Sequence, residues 1–445
     1  MKSQIYLLSL TLSGIKNIKD EIRIDFYKKT VDRNFNPDKY RVKAIYGENG
    51  SGKSGIITAV SILKQLITDR DFLKESSNQK LLNEIINKVT EEFHIEIEYI
   101  IGANSFATVY RYGFVLSKNV KNRYTIRREF LYVKHIKSRA STYQNIYTCE
   151  NGKLIDALLG NEELISYREL TTNLLDTSTL NCVILDAIKE LLRESNHNTQ
   201  ELKFLTSVLS LSIFGIMLNV DLESADQHEF YLLKESIDEM MNADGSIDSM
   251  REILSSVSRS EGLNSRSIPK ESYEQYHKDV RQLGQFLKLF KHDIISVDIE
   301  AKEDRDIYEC NLYLNYGAYR INTEFESSGI RKLIRLFDSL NASAHGQISF
   351  IDEMDANIND IYLNKIVEFF MKYGRGQLCF TTHNTSPMSI LKTNKKSIDF
   401  LSNNNKIIPW TTNGNYKPET LYREGMIEYL PFNVEPEDFL GVLGD

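Results

Sequence analysis

Gly47-Glu48-Asn49-Gly50-Ser51-Gly52-Lys53-Ser54 is the stretch from which the rest of this chain is read. It follows the apolar run Val42 to Tyr46 and precedes Ile56, Ile57, Val60 and Leu63 at helical spacing, so it reads as strand, phosphate-binding loop, helix. The glycines let consecutive backbone N–H groups turn inward around a β-phosphate, and the helix starting at Lys53 adds the positive end of its dipole. Lys53 reaches the β- and γ-phosphates in such a loop, and the Ser54 hydroxyl ligates Mg²⁺. The expected nucleotide-contacting set is therefore Gly47, Asn49, Gly50, Ser51, Gly52, Lys53 and Ser54, with ATP and Mg²⁺ as ligands.

At 445 residues the chain has room for about two or three domains and a large core. Its net charge of -8 argues against a histone-like nucleic-acid binder and decides little else, because a local basic patch can still hold DNA. Cys149, Cys182, Cys310 and Cys379 show no Cys-x-x-Cys spacing. That excludes a sequence-local zinc site and suits a reducing cytoplasm. Phe204 to Val220 carries no charge but falls short of the roughly 20 apolar residues of a membrane helix and contains Thr206, Ser207, Ser210, Ser212 and Asn219. It is expected to be a buried helix, with no membrane association.

Strands are expected at Ile5 to Leu12, Ile22 to Phe26 and Tyr40 to Tyr46, all leading into the loop. An antiparallel set follows at Phe93 to Ile101, Thr108 to Leu116, Tyr124 to His135 and Asn145 to Thr148. Lys118, Lys121, Arg123, Arg127, Arg128, Lys134, Lys137 and Arg139 cluster there among Tyr112, Tyr124, Phe130 and Tyr132, either as a surface for phosphates or acidic partners or as the solvated face of a β-layer. From Leu154 to Phe290 the period changes to about 3.6, with windows such as Val183 to Leu192 and Phe230 to Met241 and no sustained heptad. Strands return at Ile294 to Ala301, Ile307 to Leu314 and Ala318 to Phe325. The expected organisation is residues 1–150 as the first half of a nucleotide-binding head, 151–291 as a helical insertion and 292–445 as the second half.

Three further pieces complete a nucleotide site. Ser327 and Gly329 stand at the start of a helix running through Leu333, Leu336 and Leu340, an arrangement that suits an anion. Ile348 to Ile351 is an apolar strand ending in Asp352 and Glu353, where Asp352 holds Mg²⁺ and Glu353 polarises the attacking water. Leu378 to Thr382 is a second buried strand ending in His383, placed to sense a γ-phosphate.

This order, with an insertion before the Ser-Gly element, resembles the ABC-type ATPase heads of the SMC, RecF and OLD families. The resemblance implies an α/β fold with a mixed central sheet carrying the phosphate loop, an antiparallel β-layer and a helical insertion. It makes Ser327 and Gly329 the signature motif, Glu353 the catalytic glutamate, Asp355 to Asp360 the D-loop and His383 the switch histidine, with Lys53 acting on the phosphates. Two positions depart from the pattern: Ile330 stands where the signature has Gln or Glu, and Asn359 where the D-loop has Asp, which implies slow turnover. The Q-loop is expected near residues 90 to 150. Leu10 to Ile18, Phe350 to Asp355 and Leu421 to Glu428 resemble stand-alone AAA-type ATPases of the OLD-like branch, including the AriA-like subunits of PARIS anti-phage systems. Residues beyond His383 contain no Asp-x-Asp, so no nuclease site is expected here.

The resemblance implies partners of three kinds. One is a second copy of the chain, in a head-to-tail dimer or a higher homo-oligomer such as a hexamer. The others are a separate Toprim-type nuclease effector (AriB-like) and a phage-encoded trigger protein. The alternative is a DNA-binding repair or chromosome-maintenance clamp of the SMC or RecF kind, whose contact with duplex falls on residues 118–139.

Overall fold

The computed structural model describes residues 4–29, 31, 35–102, 107–136, 142–158, 178–182, 184, 199–223, 265–394, 396–411 and 416–427. The chain opens with β1 (Gln4–Ser13) and β2 (Ile22–Asp25), then β3 (Val42–Gly47) runs through the glycine loop into α1 (Lys53–Thr68). Helix α2 (Ser76–Ile85) precedes β4 (Glu92–Gly102), β5 (Thr108–Lys118), β6 (Tyr124–His135), β7 (Gln144–Glu150) and β8 (Lys153–Ala157). Helix α3 (Thr199–Met217) passes directly into β9 (Leu218–Asp221). Next come β10 (Ser265–Pro269), α4 (Tyr273–Lys288), β11 (Ser296–Asp304), β12 (Ile307–Asn315) and β13 (Arg320–Asn322). The chain closes with α5 (Ser328–Ala344), β14 (Ile348–Ile351), α6 (Asp360–Tyr373), β15 (Gln377–Thr381), α7 (Met388–Leu391), β16 (Ile398–Leu401), β17 (Ile407–Pro409) and α8 (Pro418–Arg423).

Two large sheets divide the work. One is six-stranded in the order β17-β16-β3-β15-β14-β9, parallel from β16 to β9 with β17 antiparallel at the edge. Every residue of β3, β14, β15 and β16 is buried, which is why these strands read in sequence as continuous apolar runs. The other sheet is seven-stranded and antiparallel in the order β2-β1-β4-β5-β6-β7-β8. Its strand β4 alternates partly buried with buried positions over its first eight residues, as a layer with one face on a core should. A smaller sheet pairs β10, β11 and β13 with β12. The expected class, an α/β head with the phosphate loop on a mixed sheet beside an antiparallel layer, is the one observed.

Helix α1 lies between the large sheets. Its Ile56, Val60, Leu63 and Ile67 join Leu12, Ile95, Tyr112 and Phe350 in one core, so the glycine loop is fixed at the end of a helix buried on most of its surface. Burial of a side chain such as Phe350 contributes about 1.5–3 kcal/mol. A second core lies on the opposite face of the six-stranded sheet, where Leu333, Phe337, Leu363 and Phe370 of α5 and α6 pack beside Ala44, Tyr46 and Phe380.

Three sequence readings change. Phe204 to Val220 is helix only as far as Met217, and its last residues are the edge strand β9, parallel to β14. One side of it is buried on α1, where Gly215 sits so close that an added Cβ would meet Ile67 Cγ2 at 2.6 Å, while Thr206, Ile213 and Ile216 are exposed. Residues 151–291 are therefore not wholly helical, because they supply β8, β9 and β10, and β9 belongs to the sheet of the phosphate loop. Phe230 to Met241 lies outside the described residues. Ala318 to Phe325 is a strand only at Arg320–Asn322; the Asn322 side chain then accepts the Glu324 N–H at 3.0 Å and starts a short 3₁₀ turn. Among the described residues no helix is long and apolar enough to cross a membrane.

Candidate functional site

The loop after β3 has the backbone that its glycines predict. Gly50 and Gly52 adopt φ of 78° and 110°, the left-handed region open to glycine. The loop is also gripped from outside: a Cβ on Gly52 would meet Ile18 Cγ1 at 2.7 Å, and the Asn17 amide donates to the Gly50 carbonyl. Leu10 to Ile18 thus packs directly on the loop. The tail does the same from the other side, with the Tyr422 ring stacked on Phe400 and edge-on to Tyr46, and the Arg423 guanidinium donating to Thr385 Oγ1 at 2.7 Å. Glu428 lies outside the described residues.

Lys53 is buried and its ammonium donates to the Gly47 and Glu48 carbonyls, both at 2.9 Å. Burial lowers its pKa to about 8, against the pull of Glu353, Asp352 and Asp355. The ammonium is thus held by two carbonyls of its own loop, with four carboxylates, Glu353, Asp352, Asp355 and Glu48, acting on it. Among the described residues the buried Ser51 hydroxyl has no hydrogen-bond partner at the same loop, so these residues fit a bound polyphosphate.

The acids arrive on the neighbouring strands. β14 ends at Asp352, which is fully buried and accepts from Thr381 Oγ1 at 2.5 Å; the same hydroxyl accepts the Glu353 N–H at 2.8 Å. Glu353 sits at φ 43°, a left-handed conformation uncommon for glutamate, in the turn after the strand. Burial, with Asp352 and Glu223 nearby, raises its pKa. His383 follows β15, and burial together with the Lys53 charge lowers its pKa, which favours the neutral ring. Asp355 accepts the backbone N–H of His383 at 3.3 Å and of Asn384 at 3.1 Å, and Asn384 in turn donates to Asp360 at 2.6 Å. Lys53, Asp352, Glu353 and His383 are therefore brought together at the ends of three adjacent parallel strands, β3, β15 and β14.

Ser327 and Gly329 stand elsewhere. Ser327 caps α5 in position only, with no side-chain cap bond, and it is exposed. Among the described residues no hydrogen bond joins it or Gly329 to the phosphate loop; a Cβ on Gly329 would instead meet the Asn357 carbonyl at 2.8 Å. The two departures from the motif pattern have local causes. Ile330 is buried in the second core, where a carboxamide would lose its water. Asn359 is the N-cap of α6 and accepts the Ile361 N–H at 2.9 Å, a task asparagine performs as well as aspartate.

Two arginines of the basic cluster pair with carboxylates of their own sheet. Arg127 pairs with Glu92, Arg128 with Glu150 at 3.5 Å, and Arg123 donates to the Leu73 and Lys74 carbonyls at 3.1 and 3.0 Å. Lys118 and Lys134 lie over the rings of Tyr124 and Tyr143. Lys137 and Arg139 lie outside the described residues.

The described strands of the expected Q-loop region, residues 90 to 150, belong to the antiparallel sheet. The strand beside β14 is β9, and its end carries two acids that sequence reading missed. Asp221 offers its carbonyl to the Asp352 N–H at 2.8 Å, and Glu223 accepts from Lys332 at 2.6 Å and Arg335 at 2.5 Å.

No family profile matches the chain, and no curated protein matches it. Solved structures that it resembles include the SmcHead bound to the C-winged helix domain of ScpA, at 13% identity and a TM-score of 0.43, covering 92% of this chain and 98% of that one. The Smc head domain with an extended coiled coil bound to the C-terminal domain of ScpA derived from Pyrococcus furiosus matches at 15% identity and a TM-score of 0.40, covering 92% and 96%. The SMC head domain from Thermotoga maritima matches at 14% and 0.34, covering 92% and 100%. The chain's own strand order, with the Asp-Glu and histidine strands parallel to that of the phosphate loop and a separate antiparallel layer, is that of an ABC-type ATPase head.

Proposed function

We propose that this chain is an ATP-hydrolysing subunit acting as the sensor and scaffold of a two-component anti-phage defence system. The observation that carries the ATPase reading is the convergence of Lys53, Asp352, Glu353 and His383 around one glycine loop. Mg-ATP, when bound, supplies the phosphoanhydride to be cleaved, its charge offset by the ion. The loop N–H groups and Lys53 hold phosphate oxygens, and Ser54 and Asp352 are the residues to hold Mg²⁺. Glu353, its basicity raised by burial, orients water and accepts its proton. Neutral His383 offers a ring N–H to the terminal phosphate.

Exposed Ser327 and half-buried Gly329 support a site completed by a second copy of the chain in a head-to-tail dimer or higher homo-oligomer. Residues 1–150 and 292–445 then form most of the head, and 151–291 is an insertion that also supplies β8 and β9 to its sheets, in the cytoplasm. The defence role rests on the resemblance of the Leu10 to Ile18 and Leu421 to Glu428 stretches to AriA-like subunits, and both stretches pack at the nucleotide loop, where a bound partner and nucleotide state can be read together. The effector is a separate Toprim-type nuclease, released when a phage-encoded protein is sensed. Co-expression with the product of the neighbouring gene tests this reading: a nuclease co-purifying in the ATP-bound state supports it. Salt-dependent binding of bare duplex with no nuclease partner would overturn it in favour of a DNA clamp, a reading weakened by the paired arginines of β6.

A further inference from the structure

Helix α5 carries two cations into the six-stranded sheet. Lys332 is only 5% exposed, at a helix position flanked by Leu333 and Leu336, where an apolar residue is the ordinary occupant. Its ammonium lies 2.6 Å from Glu223 and 3.5 Å from the Asp352 carbonyl oxygen. Arg335, one turn on, lies 2.5 Å from Glu223 and 3.4 Å from Asp221. Burial pushes the Glu223 carboxyl up, and the hydrogen bonds from Arg335 and Lys332 outweigh it, bringing it down to about 2. Four carboxylates, Asp221, Glu223, Asp352 and Glu353, converge here with these two cations between them.

From this geometry we infer that Lys332 is a positioning residue for the Asp352–Glu353 turn, holding it to α5 through the Asp352 carbonyl and through Glu223. The inference rests on the ATPase reading and deepens it. The turn has three anchors from three elements: Thr381 at the end of β15, the Asp221 carbonyl at the end of β9 and Lys332 on α5. The first two are short-range consequences of strand pairing. Lys332 is different, because it ties the turn to the helix whose first turn follows Ser327 and contains Gly329, neither of which hydrogen-bonds the phosphate loop among the described residues. A displacement of α5 by a partner subunit is thereby transmitted to the glutamate that activates water, and Glu223 keeps the ammonium from rotating away.

Lys332→Met keeps the volume of the side chain and removes its charge; Lys332→Arg keeps the charge. ATP turnover and Mg-ATP affinity are measured for both in the full chain, together with hydrogen exchange at the Asp352 to Asp355 amides. The expected result for Lys332→Met is a fall in kcat of tenfold or more, affinity within about twofold of wild type, and exchange of the turn at least tenfold faster while residues 47–54 are unchanged. Lys332→Arg should recover most of the lost turnover. Unchanged exchange at the turn, or kcat and affinity lost together with a large drop in Tm, would overturn the assignment and leave Lys332 a structural residue. A wild-type chain that binds no ATP would defeat the ATPase reading, whereas the exchange result still decides whether Lys332 holds the turn.

Discussion

The Asp355 carboxylate accepts the backbone N–H groups of His383 and Asn384, at 3.3 and 3.1 Å, and so joins the turn after the Asp-Glu strand to the turn after the histidine strand. Two charge-assisted bonds accepted by one carboxylate tie Glu353, two residues before Asp355, to the turn that carries His383. Asp355→Ala should cut kcat about tenfold, the loss of one or two such bonds, and leave Mg-ATP affinity nearly intact. Steady-state kinetics beside a calorimetric titration check it; an affinity loss as large as the loss of turnover would make Asp355 a binding residue instead.

The phosphate loop and the acid strand make separable demands. Lys53→Ala should abolish Mg-ATP binding, because it removes the ammonium held at the Gly47 and Glu48 carbonyls, the cation proposed to reach the phosphates. Glu353→Gln should bind normally and not turn over, since an amide takes no proton from water. Calorimetry on the first and phosphate release from the second provide the tests, with wild-type behaviour in either refuting that residue's role.

Ser327 and Gly329 lead to a mixing experiment. If their helix end completes a neighbour's site, Lys53→Ala subunits mixed with Ser327→Arg subunits should regain about one working site per dimer, while each parent alone is inactive. A mixture no more active than its parents would place the signature residues in some other task.

Legibility followed sequence distance. The loop, Asp352, Glu353 and His383 were readable because each sits at the end of an apolar run with its chemistry beside it. β9 was not, because Leu218-Asn219-Val220-Asp221 follows α3 without a turn residue and merges into the same uncharged stretch. Glu223 gains meaning only from Lys332 and Arg335, 109 and 112 positions away, and nothing in local spacing announces such a pair. The Leu10 to Ile18 stretch was legible as a resemblance, but its place against Gly50 and Gly52 through Asn17 and Ile18 comes from the fold alone.

A buried ion pair inside the nucleotide sheet gives a stability prediction. Lys43 of β3 and Asp399 of β16 are 2% and 1% exposed and lie 2.5 Å apart, with the Lys43 ammonium also 5.6 Å from the Phe26 ring centre. Lys43→Met leaves a buried carboxylate alone and should cost about 3–5 kcal/mol. The double change Lys43→Met with Asp399→Leu should recover most of that loss, since an apolar pair of similar volume needs no partner. Urea unfolding of the three proteins measures it; a double variant as unstable as the single one would show that the pair does more than neutralise itself.

Glu129 of β6 is fully buried and accepts the Tyr112 and Tyr147 hydroxyls at 3.1 and 3.0 Å and the Leu180 N–H at 2.7 Å. It thereby holds the segment whose Thr179 hydroxyl and Cys182 thiol donate to the Leu66 carbonyl of α1. Burial raises its pKa to about 7, and the hydrogen bonds only partly offset this. A carboxyl whose folded pKa exceeds its unfolded value of 4.5 keeps its proton in the folded state over a range where the unfolded chain has lost it. Its contribution to stability is therefore largest below about pH 4.5 and falls as pH rises toward 7, by at most about 3 kcal/mol. Glu129→Gln, which cannot ionise, should remove this slope. Urea midpoints at pH 5 and pH 7.5 should differ more for wild type than for Glu129→Gln, with wild type losing stability at the higher pH. Equal slopes in the two proteins would mean that Glu129 is ionised throughout, held so by its tyrosine and backbone donors.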